Sequence, residues 1–369
     1  MSFNQYTWDL YKQTTIGIEM IKYFSDAGGY VLFKDYCPYA NFIPEDLYND
    51  WLENIYCYGV SDYDHPSSLE EAKDLYISLI TLGIRVEGQQ WLPANDFKNM
   101  LGIIQPMSYV LSQFAPEYFF PYLFLCRIFE LNKIADFFNI DLPNIPKRTD
   151  YKGRCMYYWE LCEVFYLFRK ENGLSPADLW SFLYDFAPNN LPSEKIDMPK
   201  PSQVWFIGGR LYQEDKSLES KFWQSSPETK KGDILVHYET SPISAITCIE
   251  ISLTDGVIDP LFRYYGCIYI GNRINIPHIT LKELQTDEYF FKHPLVRKNF
   301  QGVNGWSVNS ENYSELLRMI KTKGFDIEVL PKLYAPTLPK DVIIEYEHDV
   351  EQQLLEPLLN SMGWYENKD

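Results

Sequence analysis

Trp223 stands in a polar stretch, Phe222-Trp223-Gln224-Ser225-Ser226, read here as a loop after a first strand. An indole in a loop is badly placed for packing, yet it offers the largest flat face of any side chain. Tyr238, Tyr264, Tyr265 and Trp306 are further aromatic faces in the same third of the chain. Ser225, Ser226, Asp233 and Gln301 are the polar groups placed to work with them. These residue types suit the capture of a flat heterocycle. Rings stack on its faces at about 1–3 kcal/mol per base, and small polar groups read its edge. Lys292, Arg297 and Lys298 form a basic corner suited to phosphate. Each has a plainer alternative. The corner also reads as solvated surface, and Asp233, after Gly232, also reads as a turn residue. Trp205, at a strand start, reads as core. For Trp223 alone, function stands ahead of packing.

Other constellations are weaker. Glu160 and Glu163 share a helix with Arg169 and Lys170, and a solvated helical face explains them. Asp62, Asp64 and His65 could ligate a metal, but a polar turn before a helix cap explains them too. The seven cysteines are scattered singly, without a Cys-x-x-Cys pair or a histidine at ligand spacing. Free thiols in a reducing cytoplasm are the expectation, with no bound metal and no cofactor. Phosphate-loop, nucleophile-elbow and zincin motifs are missing, so the chain is not expected to be an enzyme.

The elements that must hold the aromatic set are short β runs. Val204–Ile207, Ile234–Tyr238, Ser244–Ser252 and Tyr265–Ile270 are strand candidates punctuated by Gly, Pro and Asp. Such runs, followed by a helix over Ser310–Lys323, read as a small, partly closed barrel. Upstream the apolar spacing turns helical. Helices are expected over Ile16–Phe24, Pro44–Ile55, Ala72–Leu82, Asp96–Gln113, Pro121–Asn139, Met156–Asn172 and Ser175–Phe186. Ser67-Ser68-Leu69-Glu70-Glu71 and Ser175-Pro176-Ala177-Asp178 are N-terminal caps. Tyr30–Phe33 fits either a strand or a helix.

Residues 203–323 resemble an EVE domain, one of the PUA/YTH-like nucleic-acid-binding barrels. Three ordered landmarks carry the resemblance. Trp205 to Gly209 is an aromatic strand ending in a glycine turn. Gly232-Asp233 precedes an apolar strand ending at Tyr238. Pro277, Leu281 and Leu284 lead to Pro294-Leu295-Val296-Arg297 and a last helix. Phe222–Ser226 is similar to the Trp-x-Ser wall of the YTH base cage. The basic, Asn-rich helix that usually follows the first strand is not readable here. The resemblance implies a sensor for an unstacked, perhaps methylated, base of DNA or RNA, as in restriction or phage-defence systems. A structural protein that docks a partner through its helical part is the alternative.

The tail adds a second resemblance. Glu347–Leu359 is an acidic amphipathic run followed by Ser361-Met362-Gly363-Trp364. It is similar to the opening helix of restriction-endonuclease-like nucleases, without their later metal motifs, so a separate nuclease partner is the expectation. An ordinary terminal helix is the alternative.

Charge separates the parts. The net charge is −18, made of −11 over residues 1–200, zero over 201–340 and −7 over 341–369. Only the barrel lacks a field repelling phosphate. No long apolar run or leader peptide is read, so a cytoplasmic protein without a membrane partner is expected. The fold class is α+β and multidomain: an all-helical domain over 1–187, a Pro-rich linker over 188–202, a mixed PUA-like β-barrel over 203–338 and a helical tail over 339–369.

Overall fold

The computed structural model describes residues 3–37, 40, 43–86, 89–192, 198–210, 220–334 and 346–361. The chain divides into a helical unit, Met1–Glu194 with Ile258–Tyr265, and a barrel unit, Lys195–Val257 with Gly266–Asp369. The first break falls inside the Pro-rich segment. No described helix is long and apolar enough to cross a membrane.

The helical unit starts most helices on side-chain caps. Asn4 caps α1 (Gln5–Gln13) and Thr14 caps α2 (Thr15–Asp26). Next come α3 (Gly29–Tyr36), where sequence left strand and helix open, and α4 (Glu45–Ile55). Ser68 accepts from the Glu71 amide at the start of α5 (Leu69–Leu82), and Gly83 ends that helix at φ +75°. Glycine takes that angle at no steric cost. A hairpin, β1 (Ile84–Val86) with β2 (Gln89–Leu92), follows; the sequence reading had only helices here.

Two expected helices are shorter or broken. The Asp96–Gln113 run becomes α6 (Phe97–Met100) and α7 (Ile104–Phe114), separated by a turn around Gly102. The Pro121–Asn139 run is helical only from Ile128, as α8 (Ile128–Phe138). Phe119 to Phe124 is buried chain without regular structure. Its amides find side-chain acceptors instead: Tyr122 N–H donates to Ser108 Oγ, and Leu123 N–H to the Tyr184 hydroxyl. Apolar spacing records burial, and here burial came without a helix. The last helices are α9 (Tyr151–Glu171), α10 (Pro176–Ser181, boxed by Ser175 and Asp178) and α11 (Ala187–Asn190).

This unit's core explains the many tyrosines. Phe182 meets Phe3, Trp8, Phe138 and Phe168 edge-on or tilted. Tyr76, Tyr158 and Tyr184 are buried and donate to the carbonyls of Cys155, Phe120 and Pro121. A ring with a bonded hydroxyl fills a core without leaving a polar atom unmet. Buried Arg154 of α9 clamps the 258–265 segment, donating to Pro260 O at 2.8 Å and Phe262 O at 2.7 Å.

The barrel unit is one curled sheet. Its strands are β3 (Val204–Gly209), β4 (Ser220–Gln224), β5 (Ile234–Glu239), β6 (Ala245–Ser252), β7 (Val257–Ile258), β8 (Gly266–Thr280) and β9 (Trp306–Val308). Their order is β4-β8-β6-β5-β3-β9, with β7 also pairing β8. β3 and β5 run parallel, whereas β3–β9, β4–β8, β5–β6 and β6–β8 are antiparallel. Four steps separate β4 from β3, or about 19 Å in a flat sheet. Yet a Cβ on Gly209 of β3 would lie 2.6 Å from the Trp223 ring of β4. The sheet therefore rolls until these strands meet.

Strand alternation gives the sheet two faces. Val204, Phe206, Ile234, Val236 and Tyr238 look one way and pack on α12 (Leu281–Thr286), α13 (Pro294–Arg297) and α14 (Ser310–Thr322) through Leu284, Leu295, Leu316 and Ile320. Trp205, Ile207, Leu235, Ile268 and Ile270 look the other way and form a second cluster, with Trp223 against it. That second face lines the inside of the roll. In the tail, α15 (Glu347–Val350) and α16 (Glu356–Ser361) bracket a π-helical turn, with Leu355 and Leu359 exposed. The Gly363-Trp364 corner lies outside the described residues.

Candidate functional site

Trp223 occupies the inner face of the roll, but not in a loop. It is paired in β4 opposite Ile268 of β8. Phe222 and Trp223 are the only apolar residues of Ser220–Gln224 and the partner strand lies some forty residues on, so no local pattern announces the strand. The indole is half-buried. It packs over Gly209 of β3, and its centroid lies 4.9 Å from that of His237 in β5. The ring thus lies against β3 and β5.

The other expected base contacts do not join it. Tyr238 and Trp306 are on the opposite, helix-covered face: Tyr238 stacks flat on Phe300 at 4.0 Å, and Trp306 pairs with Phe206. A strand residue cannot serve both faces, so these rings are packing residues. Asp233 is buried at the foot of β5 and fully occupied. Its carboxylate accepts from Trp205 Nε1 at 2.9 Å, from the Lys230 and Gln203 amides, from Gln203 Nε2 and from Ser202 Oγ. Burial raises its pKa against the pull of those bonds. It is the turn residue of the alternative reading, and it holds Trp205 as core. Ser225 Oγ pairs with Thr229 Oγ1 and Ser226 Oγ accepts from the Glu228 amide, so both serines stitch a turn. Tyr264 falls in the helical unit, where it is exposed; Tyr265, beside it, donates to Pro146 O. Gln301 is exposed in the turn after α13.

Lys292, Arg297 and Lys298 are exposed around α13 and form no ion pair among the described residues. Lys292 rests 5.1 Å from the Phe291 ring centroid. In the helical unit His65 stacks flat on Phe114 at 4.1 Å, beside a cavity of about 390 Å³ that Glu53, Tyr56 and Tyr109 also line.

The inner face carries a charged group that the sequence reading missed. Glu250 of β6 is 1% exposed. Its Oε2 lies 3.0 Å from His237 Nδ1, its Oε1 accepts from Arg273 Nε at 2.8 Å, and Arg273 Nη2 makes an ion pair with the same oxygen at 2.8 Å. Lys221 Nζ stands 3.8 Å from that oxygen and 4.8 Å from the Trp223 centroid. Burial pushes the Glu250 carboxyl upward, but the His237 bond and the two cations outweigh it, so it stays ionised. Burial lowers the His237 pKa against its bond to Glu250, and the nearby cations add to the lowering, so the ring is neutral. Its Nδ1–H then donates to the carboxylate.

Cys248 Sγ, His237 and Glu250 place their ligand atoms within 4.8 Å of one another, which by donor type could hold a metal. Lys221 and Arg273 already neutralise that carboxylate and would repel a cation. The signal in the sequence was charge inside apolar strands: His237 in Ile-Leu-Val-His-Tyr, and Glu250 in Cys-Ile-Glu-Ile.

No family model matches this chain, and no curated protein matches it. Two solved structures are similar over part of it. One is an NMR structure of a protein from Rhodopseudomonas palustris, 14% identical, covering 32% of this chain and 94% of that chain, with a TM-score of 0.29. The other is a hypothetical protein from Leishmania major, 12% identical, covering 34% of this chain and 98% of that chain, with a TM-score of 0.28.

Proposed function

We propose that the barrel is an EVE-like module that binds an unstacked nucleobase, modified or not, on its inner face. The protein is non-catalytic and serves as the sensing part of a restriction or phage-defence system whose nuclease is a separate partner. The observation that carries this reading is Trp223. Its ring is half-buried on a largely buried inner face, and its Nε1 is buried without a hydrogen-bond partner among the described residues. An aromatic face beside unmet polar atoms is what a base needs, with stacking for its plane and hydrogen bonds for its edge. Lys221 lies over the indole, so a stacked base takes the ring's other face or displaces the ammonium. The basic corner at Arg297 and Lys298 would meet the backbone phosphates.

Anisotropy titration of labelled single-stranded oligonucleotides tests the reading, with an abasic strand of equal length as control. Base-bearing strands should bind more tightly than the abasic strand, and Trp223→Ala should remove about 1–3 kcal/mol of that advantage. Because Trp223 is half-buried in a strand, Trp223→Phe is needed beside it to separate stacking from folding. Equal binding of abasic and base-bearing strands would overturn the proposal. It would favour the alternative, in which the helical unit docks a protein partner.

A further inference from the structure

Three side-chain atoms of the inner-face group are buried and bonded to nothing among the described residues: Trp223 Nε1, His237 Nε2 and Arg273 Nη1. Two are fixed donors. The third is decided by its ring's tautomer. A carboxylate can only accept, so the Nδ1 that meets Glu250 carries the proton and Nε2 presents a lone pair. Glu250 is held in place by Arg273 and Lys221, so the tautomer is set by a braced charge rather than by a free rotor.

The remainder is thus two donors and one acceptor on one buried face. An apolar ligand would leave all three unmet. A bare anion would meet the donors but set its charge against the Nε2 lone pair. A metal ion would meet two cations. A heterocycle edge with an N–H beside ring-nitrogen or carbonyl acceptors satisfies every atom.

We infer that His237 determines specificity at the proposed base site: its Nε2 accepts a hydrogen bond from an N–H on the edge of the bound base, while Arg273 and Trp223 donate to the acceptors of that edge. His237 and Glu250 are wholly buried and Trp223 is half-buried, so the indole moves off His237 to admit the base and then stacks on it. The inference rests on the base-binding reading above.

The test uses the full chain and labelled ten-residue strands of dA, dC, dG or dT, an abasic strand, and the preferred base with its edge N–H groups fully methylated. Wild type should bind its preferred base at least about tenfold more tightly than the abasic strand, the scale of one buried hydrogen bond and a stack. The methylated base should lose that advantage. His237→Phe should lose it too, with abasic binding unchanged, and His237→Gln, which keeps an acceptor, should restore part of it. Full-strength binding of the methylated base by wild type would overturn the inference. So would a folded His237→Phe that keeps the preference. If His237→Phe fails to fold, the methylated strand still decides. If no base surpasses the abasic strand, the base-binding reading itself fails, which is a separate outcome.

Discussion

The two faces of the rolled sheet are built from the same strands but to opposite rules. The helix-covered face is built mainly of apolar side chains, from Val204 and Phe206 across Val236 and Ile249 to Leu316 and Ile320, with the buried His293 ring beside Phe206. The inner face mixes Trp205, Ile207, Leu235, Ile268 and Ile270 with Glu250, His237, Lys221 and Arg273. Burying charge is a poor route to stability. Apolar residues of similar volume are often as good or better, while removing one partner of a buried set is severe. The comparison teaches that the first face holds the domain together and the second is kept polar for another purpose.

The largest expected effect comes from breaking the polar face at its centre. Glu250→Ala leaves Arg273 and Lys221 buried without their carboxylate and His237 without an acceptor. It should lower the barrel's unfolding free energy by about 3–5 kcal/mol in urea. Changing Glu250, Arg273 and Lys221 together to Leu or Met should recover most of that loss while abolishing oligonucleotide binding. A triple variant as unstable as Glu250→Ala would mean the charges are structural, and the contrast between the faces would fall.

The apolar face gives the converse. Leu316→Ala removes a fully buried side chain of α14 and should cost about 2–5 kcal/mol. Oligonucleotide affinity of the folded fraction should stay at the wild-type value. A matching loss of affinity in Leu316→Ala at temperatures where it is fully folded would show that the faces are not independent.

Two buried acids sharpen the point about charge. Glu250 has two cations beside it and ionises readily. Asp259, in the helical unit, is 0% exposed; its Oδ1 accepts from the Leu261 and Phe262 amides, and its Oδ2 has no partner among the described residues. Burial pushes its pKa up to about 6, against those bonds and the Arg154 charge. A carboxyl raised in the folded state opposes folding once ionised. That cost is full above pH 6 and is relieved as pH falls toward the unfolded value near 3.8. Glu250 works in reverse, since its stabilisation is present above about 4.5 and fades below it. The helical unit should therefore gain up to about 3 kcal/mol from Asp259 between pH 7 and pH 4. Asp259→Asn should be flat over that range. Chemical denaturation followed at several pH values would test this, and identical pH profiles for the two proteins would contradict it.

Local chemistry was legible in the sequence wherever one residue acts on its own neighbours. The Ser68 and Ser175 caps and the short apolar runs Val204–Ile207 and Ile234–Tyr238 all work this way. What failed needed a partner distant in sequence. Trp223 reads as a loop residue because β8, which makes it a strand, is far along the chain. Tyr238 and Trp306 were taken for pocket walls because nothing local says which face of a strand turns inward. Pro121 to Phe124 reads as helix because buried chain of any kind is apolar. His237 and Glu250 were visible as polar residues inside apolar runs, but their meeting depends on β5 pairing β6.

The smallest expected effect separates the inner face from the outer corner. Arg297 ends α13 and is exposed, with Lys298 next to it. An exposed cation meets a strand chiefly through its phosphates, and that interaction is mainly counterion release. Arg297→Ala should weaken all strands alike, abasic included, and lower the slope of log affinity against log salt by about 0.7 for single strands. Trp223→Ala should do the opposite, leaving the slope untouched and acting only on strands that carry bases. Titrations at two salt concentrations with both variants distinguish these patterns. An unchanged slope in Arg297→Ala would move the phosphate path away from α13. A base-dependent effect there would mean that the outer corner, and not the inner face, reads the base.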